Sequence, residues 1–157
     1  MNITIISSTE SPDLGSTKYF GIVLNKALTI IRMLHWYVDD HNIHEILGSL
    51  YEDLNDLFDK FQEELIGTSF SENIPLPGFS PFCLDIENID QFKEDIGSVL
   101  EVYNQTAIKI IAMISSQEIG NYIASVQSGL NNTREEIISR FNKTSYLLRG
   151  YNKNINS

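Results

Sequence analysis

The stretch from Ile43 to Ile66, IHEILGSLYEDLNDLFDKFQEELI, decides the fold. Ile43, Leu47, Leu50, Leu54, Leu57, Phe61 and Leu65 recur at steps of three and four, a nearly heptad seam that lets one long helix lie along another in a bundle. Acidic residues cover the opposite face, as expected where a helix meets water. Just upstream, Val38 to Asn42 breaks the pattern, and Asp40 or Asn42 can cap the helix by accepting its free N–H groups. Before that break, Phe20, Val23, Leu24, Ala27, Leu28, Ile31, Leu34 and Tyr37 follow the same spacing, which predicts an amphipathic helix from Thr17 to about Val38.

Downstream, Gly67 supplies a helix stop, and residues 67–86 hold Pro75, Pro77 and Pro81 with Gly78, a connection long enough to cross a bundle from end to end. A third helix is expected from roughly Ile89 to Ser115, with Phe92, Ile96, Val99, Leu100, Tyr103, Ala107, Ile110, Ile111 and Ile114 inward. A fourth runs from about Gln117 to Tyr151, and Gly129 can interrupt it at a cost of about 1 kcal/mol relative to Ala. Residues 1–16 pack little and read as a flexible or surface-lying arm, and residues 152–157 as a C-terminal tail. There is no internal repeat and no strand-like alternation outside the N-terminal arm. The fold reading is all-α, a four-helix bundle over 17–151 with a long crossover between its second and third helices.

The 157 residues fit one domain that can bury a continuous core, and 42% apolar with 20% charged residues belongs to a folded protein. A net charge of -10 argues against nucleic-acid binding, whose affinity comes from Lys and Arg releasing counterions. The same acidity suits a protein that gathers cations, and serves solubility as well. Cys83 is the only cysteine, which excludes an internal disulfide and a thiolate cluster within one chain and points to a reducing compartment. The N-terminal segment has no basic region and too short an apolar run for a signal peptide or membrane span, so a cytoplasmic location is expected, host cytoplasm for a viral protein. The sequons at Asn2, Asn104, Asn131 and Asn142 then carry no weight.

All three histidines, His35, His41 and His44, fall at the junction of the first two helices, beside Asp39, Asp40 and Glu45. Imidazole and carboxylate are ligands that suit iron, zinc and manganese. Asp59 and Glu63 follow His44 by fifteen and nineteen residues, and on an ideal helix their directions differ from that of His44 by about 60° and 100°. They share a broad face. Asp59 nonetheless lies more than about 20 Å along the axis from His44, so a single chain cannot bring these groups to one ion and a second subunit has to close the site. Taken singly, each of these residues also reads as ordinary helix packing or a solvated charge.

The segments His35-Trp-Tyr-Val, His44-Glu and Asp59-Lys-Phe-Gln-Glu63-Glu-Leu-Ile-Gly67 resemble the Dps family of mini-ferritins, within the ferritin-like superfamily. The resemblance covers residues 17–150 in layout and 34–67 in motif. Two long helices, a proline-rich crossover and two more helices are also the layout of ferritin-like bundles, which build sites from side chains on facing helices, and cytokine bundles and plain structural bundles share that outline. The resemblance implies that His35 and His44 bind iron from one subunit, and Asp59 and Glu63 from its two-fold mate. Trp36 then lies beside the site. It further implies oxidation of ferrous iron by peroxide or oxygen and storage of ferric mineral in a hollow homododecamer, protecting against oxidative damage.

The chain departs from the family pattern twice. The His35 to His44 interval is three residues short, and Gly48 stands where a carboxylate is expected; Glu45, Glu52 and Asp53 are the nearby substitutes. These departures keep a second reading open, a Dps-like bundle without ferroxidase activity that serves as a structural or protein-interaction module. The absence of a Glu-x-x-His pair disfavours an intrachain di-iron oxygenase. Direct DNA binding is disfavoured by an arm with no Lys or Arg over residues 1–17 and only Arg149 and Lys153 near the C-terminus. Hydrolase and nucleotide-binding motifs are lacking in the sequence.

Overall fold

The computed structural model describes residues 2–4, 17–68, 83–85 and 95–155. Within them lie five helices and one short strand pair: β1 (Asn2–Thr4), α1 (Thr17–Tyr37), α2 (His41–Gly67), β2 (Cys83–Asp85), α3 (Ile96–Ile114), α4 (Gln117–Ser125) and α5 (Leu130–Ile155). The all-α reading holds, with an antiparallel ribbon added in which Asn2 pairs with Asp85, Ile3 with Leu84 and Thr4 with Cys83. No alternation marks Cys83–Asp85 as a strand, because three residues are too few to show a period.

Four expectations need correction. The C-terminal helix is two helices, α4 and α5, separated at Val126–Gly129, so Gly129 marks a true break. The last helix also continues past Tyr151 to Ile155, where a tail was expected. In α2 the seam turns at Phe58 rather than Leu57: Phe58 is buried and Leu57 packs half-buried against the core. A seam near 3.5 residues per step drifts on a 3.6-residue helix, and either neighbour satisfies the pattern. Likewise Ile30 is buried in α1 while Tyr37 is exposed. The expected start of the third helix, residues 89–94 with Phe92, lies outside the described residues, as do residues 69–82 and 86 of the expected connection.

Asp40 sets the start of α2. Its backbone is extended, its Oδ1 accepts the Ile43 N–H at 3.1 Å, and its carbonyl accepts the His44 N–H at 2.9 Å. This satisfies donors that a helix start leaves without partners. Thr68 closes the other end by returning its N–H to Glu64 O and Ile66 O.

The helices pack in a ring: α1 on α2, α2 on α5, α5 on α3 and α3 on α1. Helices α1 and α2 run antiparallel, since Gly21 meets Gln62 and His35 meets Gly48. So do α2 and α5, where Tyr151 reaches Asp40, Arg140 reaches Asp53 and Thr133 reaches Glu64. One core of Leu, Ile, Phe and Val side chains fills the space between them. Tyr103 of α3 sits fully buried within it and donates its hydroxyl to the Phe141 carbonyl of α5 at 2.6 Å, with Ser145 Oγ at 2.9 Å. Burial pushes its phenol pKa up. No described helix is long and apolar enough to cross a membrane.

Candidate functional site

His35 ends α1 and His44 lies in the first turn of α2, and the three residues between the helices fold the two imidazoles onto each other. Their ring centroids are 4.0 Å apart with planes 20° from parallel. The contact is reciprocal: His35 Nδ1 donates to the His44 carbonyl at 2.8 Å, and His44 Nδ1 donates to the His35 carbonyl at 2.7 Å. The His35 carbonyl is among the last four of α1, which have no partner inside their own helix, so the His44 ring also completes that helix end. Because carbonyls only accept, both neutral rings carry their proton on Nδ1 and keep the Nε2 lone pair. A backbone carbonyl on one ring nitrogen is the arrangement that orients the other nitrogen of a histidine toward a metal.

Gly48 belongs to the same cluster. A Cβ placed there would lie 2.7 Å from His35 Cε1 and 3.0 Å from its Nδ1, closer than real side chains approach. The His35 ring thus occupies the space in which a side chain at position 48 would begin, including the carboxylate that the resemblance led us to expect there. Only three residues, 38–40, separate the helices, and the rings stack directly. His41, exposed at the start of α2, extends the row at 6.3 Å from His44 and approaches Glu45 Oε1 at 3.9 Å.

The other two expected ligands lie elsewhere. Asp59 and Glu63 are exposed near the far end of α2, an unbroken helix from His41 to Gly67, and so stay roughly 20 Å or more from the histidines. Among the described residues of one chain, no group of three or more His, Cys, Asp or Glu is placed to hold a metal ion. Yet Asp59 and the histidines line one face. Along α1 this face carries Gly21, Asn25, Leu28, Arg32 and Trp36, and along α2 His44, Gly48, Tyr51, Asn55, Asp59 and Gln62; their contacts alternate across the groove between the helices. The groove thus has an imidazole end and a carboxylate end.

Trp36 stands at the imidazole end, 52% exposed, with the Arg32 guanidinium 4.5 Å from its ring centroid and 5.5 Å from that of Tyr51. Two features escape a sequence reading. Glu64, the neighbour of Glu63, is the carboxylate turned inward, half-buried against Gly129 and accepting from Thr133 Oγ1 at 3.4 Å. Tyr151 donates to Asp40 Oδ2 at 2.6 Å and so ties the end of α5 to the cap of α2, in the short link between the two histidine-bearing helices. That bond pushes the Tyr151 phenol pKa up. No periodicity links residues 111 positions apart, so only the folded chain exposes this tie.

Comparison with family models, with curated proteins and with solved structures finds no match to this chain.

Proposed function

We propose that this chain is a Dps-like mini-ferritin, taking up ferrous iron at a site shared by two copies, oxidising it, and storing ferric iron in a hollow homododecamer. The observation that carries the reading is the His35–His44 pair, two half-buried imidazoles whose Nδ1 protons are both committed to backbone carbonyls. Such rings are fixed in the tautomer that binds a divalent metal through Nε2. Iron is the substrate here, and His35 and His44 from one copy with Asp59 and Glu63 from another make a nitrogen and oxygen ligand set that suits it, as it also suits zinc and manganese. The ring order α1, α2, α5, α3 further supports a ferritin-like bundle, because it sets α2 and α3 at opposite corners rather than side by side. With peroxide as oxidant, two ferrous ions each give one electron and the peroxide leaves as water after taking up two protons.

The test is to add ferrous iron and peroxide to the purified protein while following ferric absorbance and particle size. Oxidation well above the protein-free rate, lost in His35→Ala and in Asp59→Ala, is the expected result. Oxidation no faster than the blank, unchanged by His35→Ala, overturns the reading. The filling of the Gly48 space by the His35 ring favours one alternative, a bundle that keeps the assembly without the ferroxidase chemistry, and that result would select it.

A further inference from the structure

Between the start of α2 and the end of α5 lies an open, mostly apolar groove of about 750 Å³. Small-molecule sites fall at about 300–1,000 Å³, and none of the residues lining this one belongs to the proposed iron site. On α5, Tyr146, Arg149, Gly150 and Lys153 stand at i, i+3, i+4 and i+7 and so share one stripe of the helix. Ile46, half-buried, lines the α2 side, and the Tyr151 ring beside it is held in place by its bond to Asp40. Gly150 is the unusual member of the stripe. It sits inside α5, which continues to Ile155, where glycine is less favourable than alanine. A Cβ there would meet nothing within 4 Å, so no close approach by another described part of the chain requires the glycine, in contrast to Gly48 and Gly129. The bare backbone leaves a flat floor between Tyr146, 70% exposed, and Lys153.

Charge selects what the floor takes. The lining carries Arg149 and Lys153 against Glu45 alone, whereas the whole chain has 11 basic and 21 acidic residues. Glu45 already approaches His41 at 3.9 Å. The dipole of α5 accounts for a cation in its last turn, Lys153, but not for the bare floor or the exposed ring beside it. We propose that this groove binds a small aromatic carboxylate, its ring lying on the Gly150 backbone against Tyr146 and its carboxylate held by Arg149 and Lys153. A flat ring gains from offset stacking on a phenol and from close approach to a backbone without a side chain. Two cations one helical turn apart offer charge-assisted donors to the two carboxylate oxygens. The site needs neither a metal nor a second copy, so it stands or falls separately from the iron reading.

The test is equilibrium dialysis of the metal-free full-length chain against naphthoate, a measurement that serves whatever assembly the chain forms. Saturable uptake of one naphthoate per chain is expected, with a dissociation constant of about 1 mM or tighter. Naphthamide, the same ring without the charge, should bind about tenfold more weakly, as should naphthoate to the chain carrying both Arg149→Gln and Lys153→Gln. Gly150→Leu places a good helix former at the floor and fills it, so binding should be lost while helical circular dichroism is unchanged. Arg32→Gln removes an exposed cation from α1 and should bind naphthoate as the native chain does. Absence of saturable uptake, naphthamide bound as tightly as naphthoate, full binding by Gly150→Leu, or an equal loss in Arg32→Gln each overturns the proposal.

Discussion

At Gly48, a methyl group would meet the His35 ring at 2.7 Å, and the ring cannot simply turn aside because its Nδ1 is bonded to the His44 carbonyl and its face is stacked on His44. Glycine inside a helix ordinarily costs about 1 kcal/mol relative to alanine, so Gly48→Ala would be stabilising if sterics were neutral. Overpacking costs about 1–3 kcal/mol and should outweigh that gain. The expected outcome is a net loss of about 1 kcal/mol in urea unfolding, accompanied by loss of the slowly exchanging Nδ1 protons of both histidines in proton NMR. A net gain in stability would show that the ring swings free. The residue-level pattern also explains what the sequence conveyed here. Three histidines within ten positions announced a cluster, while the reason for Gly48 lay in a ring on the neighbouring helix.

Between elements, Arg140 is the principal polar link from α5 to α2. Its guanidinium, with the side chain 12% exposed, donates to Asp53 Oδ2 at 2.6 Å, Ser49 Oγ at 3.1 Å and Thr144 Oγ1 at 2.7 Å. Asp53 is more than half exposed, so solvent screens the ion pair and the three bonds together are worth less than a buried pair. Arg140→Leu should cost about 1–3 kcal/mol in chemical denaturation, most of it from bonds to Asp53 and Thr144. The N-terminus of α3 has a pH dependence of its own. Asp95 caps it, and its carboxyl is held below the ordinary carboxylate range, first by the Ser98 hydroxyl and then by the Ser98 N–H. A depressed carboxyl contributes fully above its unfolded value, about 3.9, and loses that contribution as pH falls through its lower folded value. Carboxyl-carbon NMR should therefore show Asp95 titrating late in acid, and Ser98→Ala should move that titration upward. At this scale the heptad seam was legible from periodicity, while residue type narrowed the cap of α2 to Asp40 or Asn42 and marked Gly129 only as a weak point in what read as one helix. The choice of Phe58 over Leu57 was not, because both lie within the drift of a helical stripe and only the opposing Phe141 ring, 6.4 Å away, selects between them.

For the molecule as a whole, the net charge of -10 carries a prediction that needs no site at all. Duplex DNA should show no retardation in gel shift even at low salt, where basic proteins bind most strongly, because few phosphates can be neutralised and long-range repulsion is screened only beyond about 8 Å at physiological ionic strength. Composition and hydrophobic period settled the helical class, the places of α1 and α2 and the residue types able to bind a cation, since these depend on local backbone geometry and on which faces must leave water. Which helices are neighbours, the reciprocal lock of His35 and His44 and the tie from Tyr151 to Asp40 were decided by tertiary packing. Each of those joins groups that are distant in sequence or on different helices, and a local pattern holds no record of which side chain a folded chain will set against another.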